Sequence, residues 1–191
     1  MKRNQEEAIR RDIEKKMVLI SGPRQVGKSW LAKEVMKEFG RPRYLNWDNT
    51  LDREVILNEG WAGDTNLLVL DEIHKMPQWK SYLKGIYDTK PAGLRILVTG
   101  SARLEVFRQS GDSLAGRYFH HRLFPLTPAE LSRTGQSGSF EMFLDRGGFP
   151  DPWLADSDDD AGRWRRQYLD GLIREDMRQT VGECSCPFSA R

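Results

Sequence analysis

Residues Gly22-Pro23-Arg24-Gln25-Val26-Gly27-Lys28-Ser29 constrain this chain more than any other stretch. Two glycines frame a short loop that ends in Lys and Ser, the pattern of a phosphate-binding loop. Ahead of it stands the apolar run Met17-Val18-Leu19-Ile20, which predicts a buried strand. Behind it Trp30, Leu31, Val35, Met36 and Phe39 recur at helical spacing, and Gly40 predicts the stop. Strand, glycine loop and helix in that order supply a mechanism. The loop's N–H groups and the N-terminus of the following helix form an anion cradle. In that cradle Lys28 would reach the β- and γ-phosphates and the Ser29 hydroxyl would ligate Mg²⁺. The chain is therefore expected to bind a nucleoside triphosphate, with Gly22 to Ser29 and the adjoining Trp30 as the contact segment.

The elements that follow alternate. Arg43-Tyr44-Leu45-Asn46-Trp47 predicts a second strand and Leu51 to Asn58 a short helix, broken by Gly60 and Gly63. Leu67-Leu68-Val69-Leu70 suits a central parallel strand buried on both faces. Trp79, Leu83, Ile86 and Tyr87 mark an amphipathic helix between Pro77 and Pro91. Leu94 to Val98 and Tyr118 to Phe124 predict two further strands. Strands alternating with helices imply βαβ units, so the expected class is α/β with a parallel sheet of about five strands.

The third strand delivers Asp71-Glu72 at its C-terminal end, where ligands bind in open α/β sheets. Asp71 is the expected partner of the Mg²⁺ shell, as the corresponding acid is in phosphate-loop enzymes. Glu72 can polarise a water in line with the γ-phosphate, which is general-base work. Its structural alternative is a surface salt bridge to His74 or Lys75. The next strand ends in Thr99-Gly100-Ser101. A short hydroxyl such as Ser101 can hydrogen-bond to phosphate or water without filling the cleft. Ordinary turn chemistry accounts for the same residues equally well.

Thirty basic against twenty-eight acidic side chains leave a net charge of +2, too balanced to signal nucleic acid. The N-terminal residues lack the apolar core of a signal peptide, and no window reaches the apolar length of a membrane span. A cytoplasmic location is the expectation. The two cysteines, Cys184 and Cys186, fall short of the four ligands of a structural zinc site.

Gly-Pro-Arg-Gln-Val-Gly-Lys-Ser, Leu-Asp-Glu-Ile-His, Thr-Gly-Ser, Leu-Ala-Gly-Arg, Leu-Phe-Pro-Leu-Thr and Gly-Gly-Phe-Pro occur in this order between about Arg10 and Val181. Together they resemble the prokaryotic AAA-type ATPases that carry a C-terminal domain of uncharacterised function. The resemblance implies a P-loop NTPase core with strand order 5-1-4-3-2. It maps Lys28 and Ser29 onto Walker A, Asp71 and Glu72 onto Walker B, and Ser101 onto the sensor. It also marks Arg117, in Leu114-Ala115-Gly116-Arg117, as an arginine that contacts the transferring phosphate in its own or a neighbouring subunit. A strand-edge salt bridge is the other reading of Arg117. ATP rather than GTP follows from the resemblance, and no Asn-Lys-x-Asp guanine-reading sequence occurs.

The implied organisation is an ATP-binding core over residues 1–134 and a partial helical region over 135–191. Asp158 to Asp160 suit the positive end of a helix dipole. From there to about Gln179, Trp164, Tyr168 and Leu172, with Leu169, Ile173 and Met177, form apolar faces that want covering. Family members run about twice this length, so the chain reads as a C-terminally truncated member that packs poorly there. Arg163, Arg165 and Arg166 read as a solvated face more than a nucleic-acid patch. The expected function is Mg²⁺-dependent ATP binding and hydrolysis coupled to an unknown macromolecular partner, with homo-oligomerisation compatible. Its rivals are a nucleotide-binding module without turnover and a small-molecule phosphotransferase.

Overall fold

The computed structural model describes residues 2–61, 63–101, 114–134 and 140–182, with backbone alone from 174 onward. Residues divide into two compact units, 1–136 and 137–191.

In the first unit, β1 (Met17–Ser21), β2 (Pro42–Asn46), β3 (Leu67–Asp71), β4 (Arg95–Thr99) and β5 (Tyr118–Arg122) form one parallel sheet. Their order is β2-β3-β4-β1-β5, the expected 5-1-4-3-2 taken from the other edge. The apolar runs explain which strands lie inside: every residue of β1 and β3 is buried, whereas β2 at the edge buries only Leu45. Strand succession reverses at β1, which pairs with both β4 and β5. Such a switch point opens a crevice at the carboxyl ends of the strands.

Side chains alternate between the two faces. Leu19, Leu68, Leu70, Ile96 and Val98 pack on one face with Ile56, Trp61, Trp79, Leu83 and Ile86. Ile56 comes from α3 (Thr50–Leu57) and the last three from α4 (Trp79–Thr89). The alternate residues belong to the opposite face, where α1 (Glu6–Ile13) and α2 (Lys28–Met36) lie against the sheet. Sequence reading found no element before β1. Yet Ile9 and Ile13, one turn apart, are both buried, and Glu6 and Glu7 open the helix while Arg10 and Arg11 close it, an arrangement that suits the helix dipole.

After β5, the short α5 (Pro128–Leu131) begins with a capping box in which the Thr127 side chain and Glu130 exchange hydrogen bonds with each other's backbone N–H.

The second unit contains α6 (Phe140–Arg146), α7 (Pro150–Trp153) and α8 (Asp158–Gly182). Ser157 Oγ accepts from Asp160 N at 3.1 Å at the start of α8, beside the three acids. Trp164 and Tyr168 stack at 4.8 Å, and Phe149 packs 5.2 and 5.0 Å from them. Part of the predicted apolar face is thus covered locally, while Leu169 and Ile173 remain exposed. The Met177 side chain and Cys184 and Cys186 lie outside what is described. Arg163 and Arg165 stand 3.7 and 3.8 Å from Asp160 and Asp145.

Candidate functional site

The glycine loop leaves the C-terminal end of β1 and turns directly into α2. Gly22 has φ +152°, and a Cβ there would stand 2.3 Å from the Leu123 carbonyl oxygen. Only glycine lets the loop lie this close to the segment after β5. Gln25 (φ 58°) and Gly27 (φ 95°) are both left-handed and flank the fully buried Val26. Gly27 caps α2 without a side chain of its own, leaving the first N–H groups of the helix for a ligand. Pro23, Arg24 and Gln25 form the outer arc of the loop, and Trp30 is exposed on the first helical turn.

Lys28 is buried, and its ammonium donates to the carbonyls of Gly22 (3.1 Å) and Pro23 (2.7 Å). Burial pulls its pKa below that of an ordinary lysine, while the charges of Glu72 and Asp71 act in the opposite direction. The ammonium therefore sits inside the loop, ringed by oxygen acceptors.

Asp71 is 3% exposed at the end of β3. Its Oδ2 accepts from Ser29 Oγ at 2.7 Å and from the Tyr44 hydroxyl, and its Oδ1 accepts from Thr99 Oγ1. Sheet register explains this convergence. Asp71 lies level with Asn46 and with Thr99, and Tyr44 stands two residues before Asn46 on the same face. Burial, then the hydrogen bond to Asp71, raises the Tyr44 pKa well above the usual phenol value. Sequence reading missed Tyr44 and placed its weight on Ser101 rather than Thr99. An in-register alignment of the strands carries the signal: the neighbours of an acid at a strand end are the residues level with it.

Glu72 follows in a left-handed conformation (φ 56°), and its N–H donates to Thr99 O at 3.0 Å. A non-glycine residue held there stores strain, of a kind that clusters at functional sites. The turn carries the carboxylate off the strand, where it lies 3.5 Å from Lys75 Nζ and 3.7 Å from His74 Nε2. Burial raises its pKa above the ordinary glutamate value, against the opposing charge of Lys75. Ser101 Oγ lies 3.2 Å from His74 Nε2, so Ser101 meets this cluster through His74, whereas Thr99 meets Asp71 directly.

Arg117 is elsewhere. It immediately precedes β5, and its carbonyl accepts from Met17 N, at the start of β1. A five-residue strand at about 3.3 Å per residue puts roughly 16 Å between that edge and the loop. Arg117 forms a two-pronged pair with Asp88, at 2.8 and 3.0 Å. Within one chain it does not reach the loop.

The five-stranded parallel sheet and its glycine loop give this α/β domain the P-loop ATPase fold. The AAA domain family matches residues 14–132, more than half of the chain, and the chain belongs to that family. An uncharacterized protein of Mycobacterium tuberculosis is 29% identical over 85% of this chain and 36% of its own length. An uncharacterized protein of Methanocaldococcus jannaschii is 24% identical over 88% of this chain and 44% of its own. The chain thus spans less than half the length of these relatives. Among solved structures, the Walker-type ATPase PABY2304 of Pyrococcus abyssi superposes with a TM-score of 0.62 at 13% identity, covering 96% of this chain and 76% of that one. A DNA polymerase III gamma subunit-related protein of Thermotoga maritima superposes with a TM-score of 0.52 at 15% identity, over 90% and 62% of the two chains. At these identities both are similar in fold alone. No described helix is long and apolar enough to cross a membrane.

Proposed function

We propose that this domain binds ATP with Mg²⁺, hydrolyses it, and couples its nucleotide state to a macromolecular partner. The observation that carries this reading is the 2.7 Å contact between Ser29 Oγ and Asp71 Oδ2 across the mouth of the loop. A serine hydroxyl and a carboxylate are hard oxygen donors, the set that Mg²⁺ takes alongside substrate phosphates. Asp71 and Ser29 would hold the ion, which would neutralise phosphate charge. The Gly22–Gly27 backbone cradles the phosphates, and Lys28 exchanges its loop carbonyls for phosphate oxygens. Tyr44 and Thr99 fix the rotamer of Asp71 from either side.

Glu72 serves as the base. It follows Asp71 directly, in a left-handed backbone conformation that turns the chain off the strand. It takes the proton of a water aligned with the γ-phosphate. Arg117 stands too far from the loop of its own chain to touch phosphate there, so a contact with phosphate belongs to a neighbouring copy. The preference for ATP and a cytoplasmic setting belong to the same reading.

A second reading, nucleotide binding without turnover, is favoured by the neighbours of Glu72: its carboxylate already faces Lys75 and His74. Phosphate release at matched ATP occupancy separates the two. Glu72→Gln is expected to retain ATP and to slow release about 10²-fold or more. A parent chain that releases no phosphate, or a Glu72→Gln chain as fast as the parent, supports the second reading.

A further inference from the structure

Arg3 lies far from the loop in sequence, yet its side chain is only 3% exposed and its guanidinium touches the loop itself. Nη1 donates to the Val26 carbonyl at 3.3 Å, and Nη2 donates to the Phe124 carbonyl beyond β5. Nε lies 3.2 Å from Glu130 Oε1, whose side chain is 2% exposed. Glu130 is itself fixed, accepting from Asn4 N at 2.8 Å, Thr127 N at 2.9 Å and Thr127 Oγ1 at 3.0 Å.

We propose that Arg3 is a positioning residue for the phosphate loop, holding its backbone in the shape of an anion cradle from behind. The reason lies in how a cradle is built. N–H groups that converge on an anion turn neighbouring carbonyls away from it, and a buried carbonyl needs a donor of its own. Val26 is the loop residue in that position. It is fully buried between two left-handed residues, and Arg3 supplies the donor. A buried ion pair is poor evidence for a stabilising role, since an apolar pair of equal volume does as well. An apolar pair cannot, however, tie a loop carbonyl to the segment after β5. A lysine cannot do so either, because its single ammonium does not reach two separate carbonyls beside the Glu130 carboxylate as a planar fork does. Gly22 packs on the Leu123 carbonyl and Arg3 holds that of Phe124, so the same short segment braces the loop at both ends.

The proposal rests on reading this loop as the nucleotide site, and two measurements keep the two ideas separable. The variants are Arg3→Lys, which keeps a charge opposite Glu130, and Arg3→Met combined with Glu130→Gln, which removes both charges together. Backbone amide exchange is followed in nucleotide-free protein at residues 25–29, with β1 and β3 as internal references. ATP and ADP affinities are measured on the same folded samples by titration. The expected result is faster exchange confined to the loop. It should come with affinity for ATP and ADP alike lower by about tenfold or more, the scale of one lost charge-assisted hydrogen bond. A purely structural Arg3 would lower the melting temperature and leave loop exchange and affinity at parent values in the surviving folded protein. That outcome in either variant overturns the proposal. Should the parent itself bind neither nucleotide, the functional reading fails, and loop exchange alone decides the role of Arg3.

Discussion

The two ends of the β-sheet carry similar charged groups in opposite physical circumstances. At the carboxyl end, Lys28 and Asp71 are 6% and 3% exposed, and each is enclosed by hydrogen-bond partners. At the other end, Arg117 pairs with Asp88 and Arg95 with Glu14, all of them a quarter to a half exposed. In water-rich surroundings such pairs interact weakly and are screened by salt. Inside the protein the same charges act more strongly and cost more to leave unmatched. The groups to which the proposed function gives phosphate and metal are thus the enclosed ones, and the charge alone does not set them apart. Glu72 falls between the two cases, buried enough to raise its pKa and open enough to face Lys75.

The largest difference between the ends is expected for Lys28→Ala. Removing the ammonium should weaken ATP binding about 10²-fold or more, since hydrogen bonds to charged groups contribute about 1.5–3 kcal/mol each. The fold should persist, because the lost contacts are to loop carbonyls. Titration calorimetry with circular dichroism checks both, and unchanged affinity in a folded variant would remove the loop from the site. Next comes Thr99→Val, which keeps shape and deletes the hydroxyl facing Asp71. Leaving that buried carboxylate one donor short should cost about 1–3 kcal/mol of stability in denaturant unfolding and loosen the Mg²⁺ dependence of nucleotide binding. A variant as stable as the parent would mean that Thr99 is a bystander. Arg117→Ala should have the smallest effect: melting temperature and ATP affinity stay at parent values, with no added sensitivity to salt. A fall in turnover at unchanged affinity would break the comparison, because it places Arg117 on a phosphate after all. Mixing Arg117→Ala with Glu72→Gln protein would then reveal contact between subunits as recovered activity.

Most of the sheet was legible because its signals are local. Leu67 to Leu70 is apolar without interruption, and such a run in an alternating pattern belongs in the middle of a parallel sheet. The loop was legible for the same reason, as glycines, lysine and serine act within eight consecutive residues. α1 was not, since Ile9 and Ile13 are its only large apolar residues and all the others except Ala8 are charged. The roles of Tyr44 and Thr99 were hidden because hydroxyls are common in strands, and a strand does not announce its neighbour. Ser101 drew attention as a small hydroxyl past a strand end that the family resemblance maps onto the sensor, whereas Thr99 lies level with Asp71 in space.

By itself the sequence determined the class of fold, the glycine loop between β1 and α2, and the placing of Asp71 and Glu72 at the carboxyl end of β3. Each follows from spacing along one short segment, where covalent connection already fixes the geometry. Only the tertiary structure decided that Tyr44 and Thr99 clamp Asp71, that Arg117 stands at the far edge, and that Arg3 reaches under Val26. Those relations join residues at least 23 positions apart. They depend on strand order, register and burial, which the packing of the whole chain sets and no local pattern encodes.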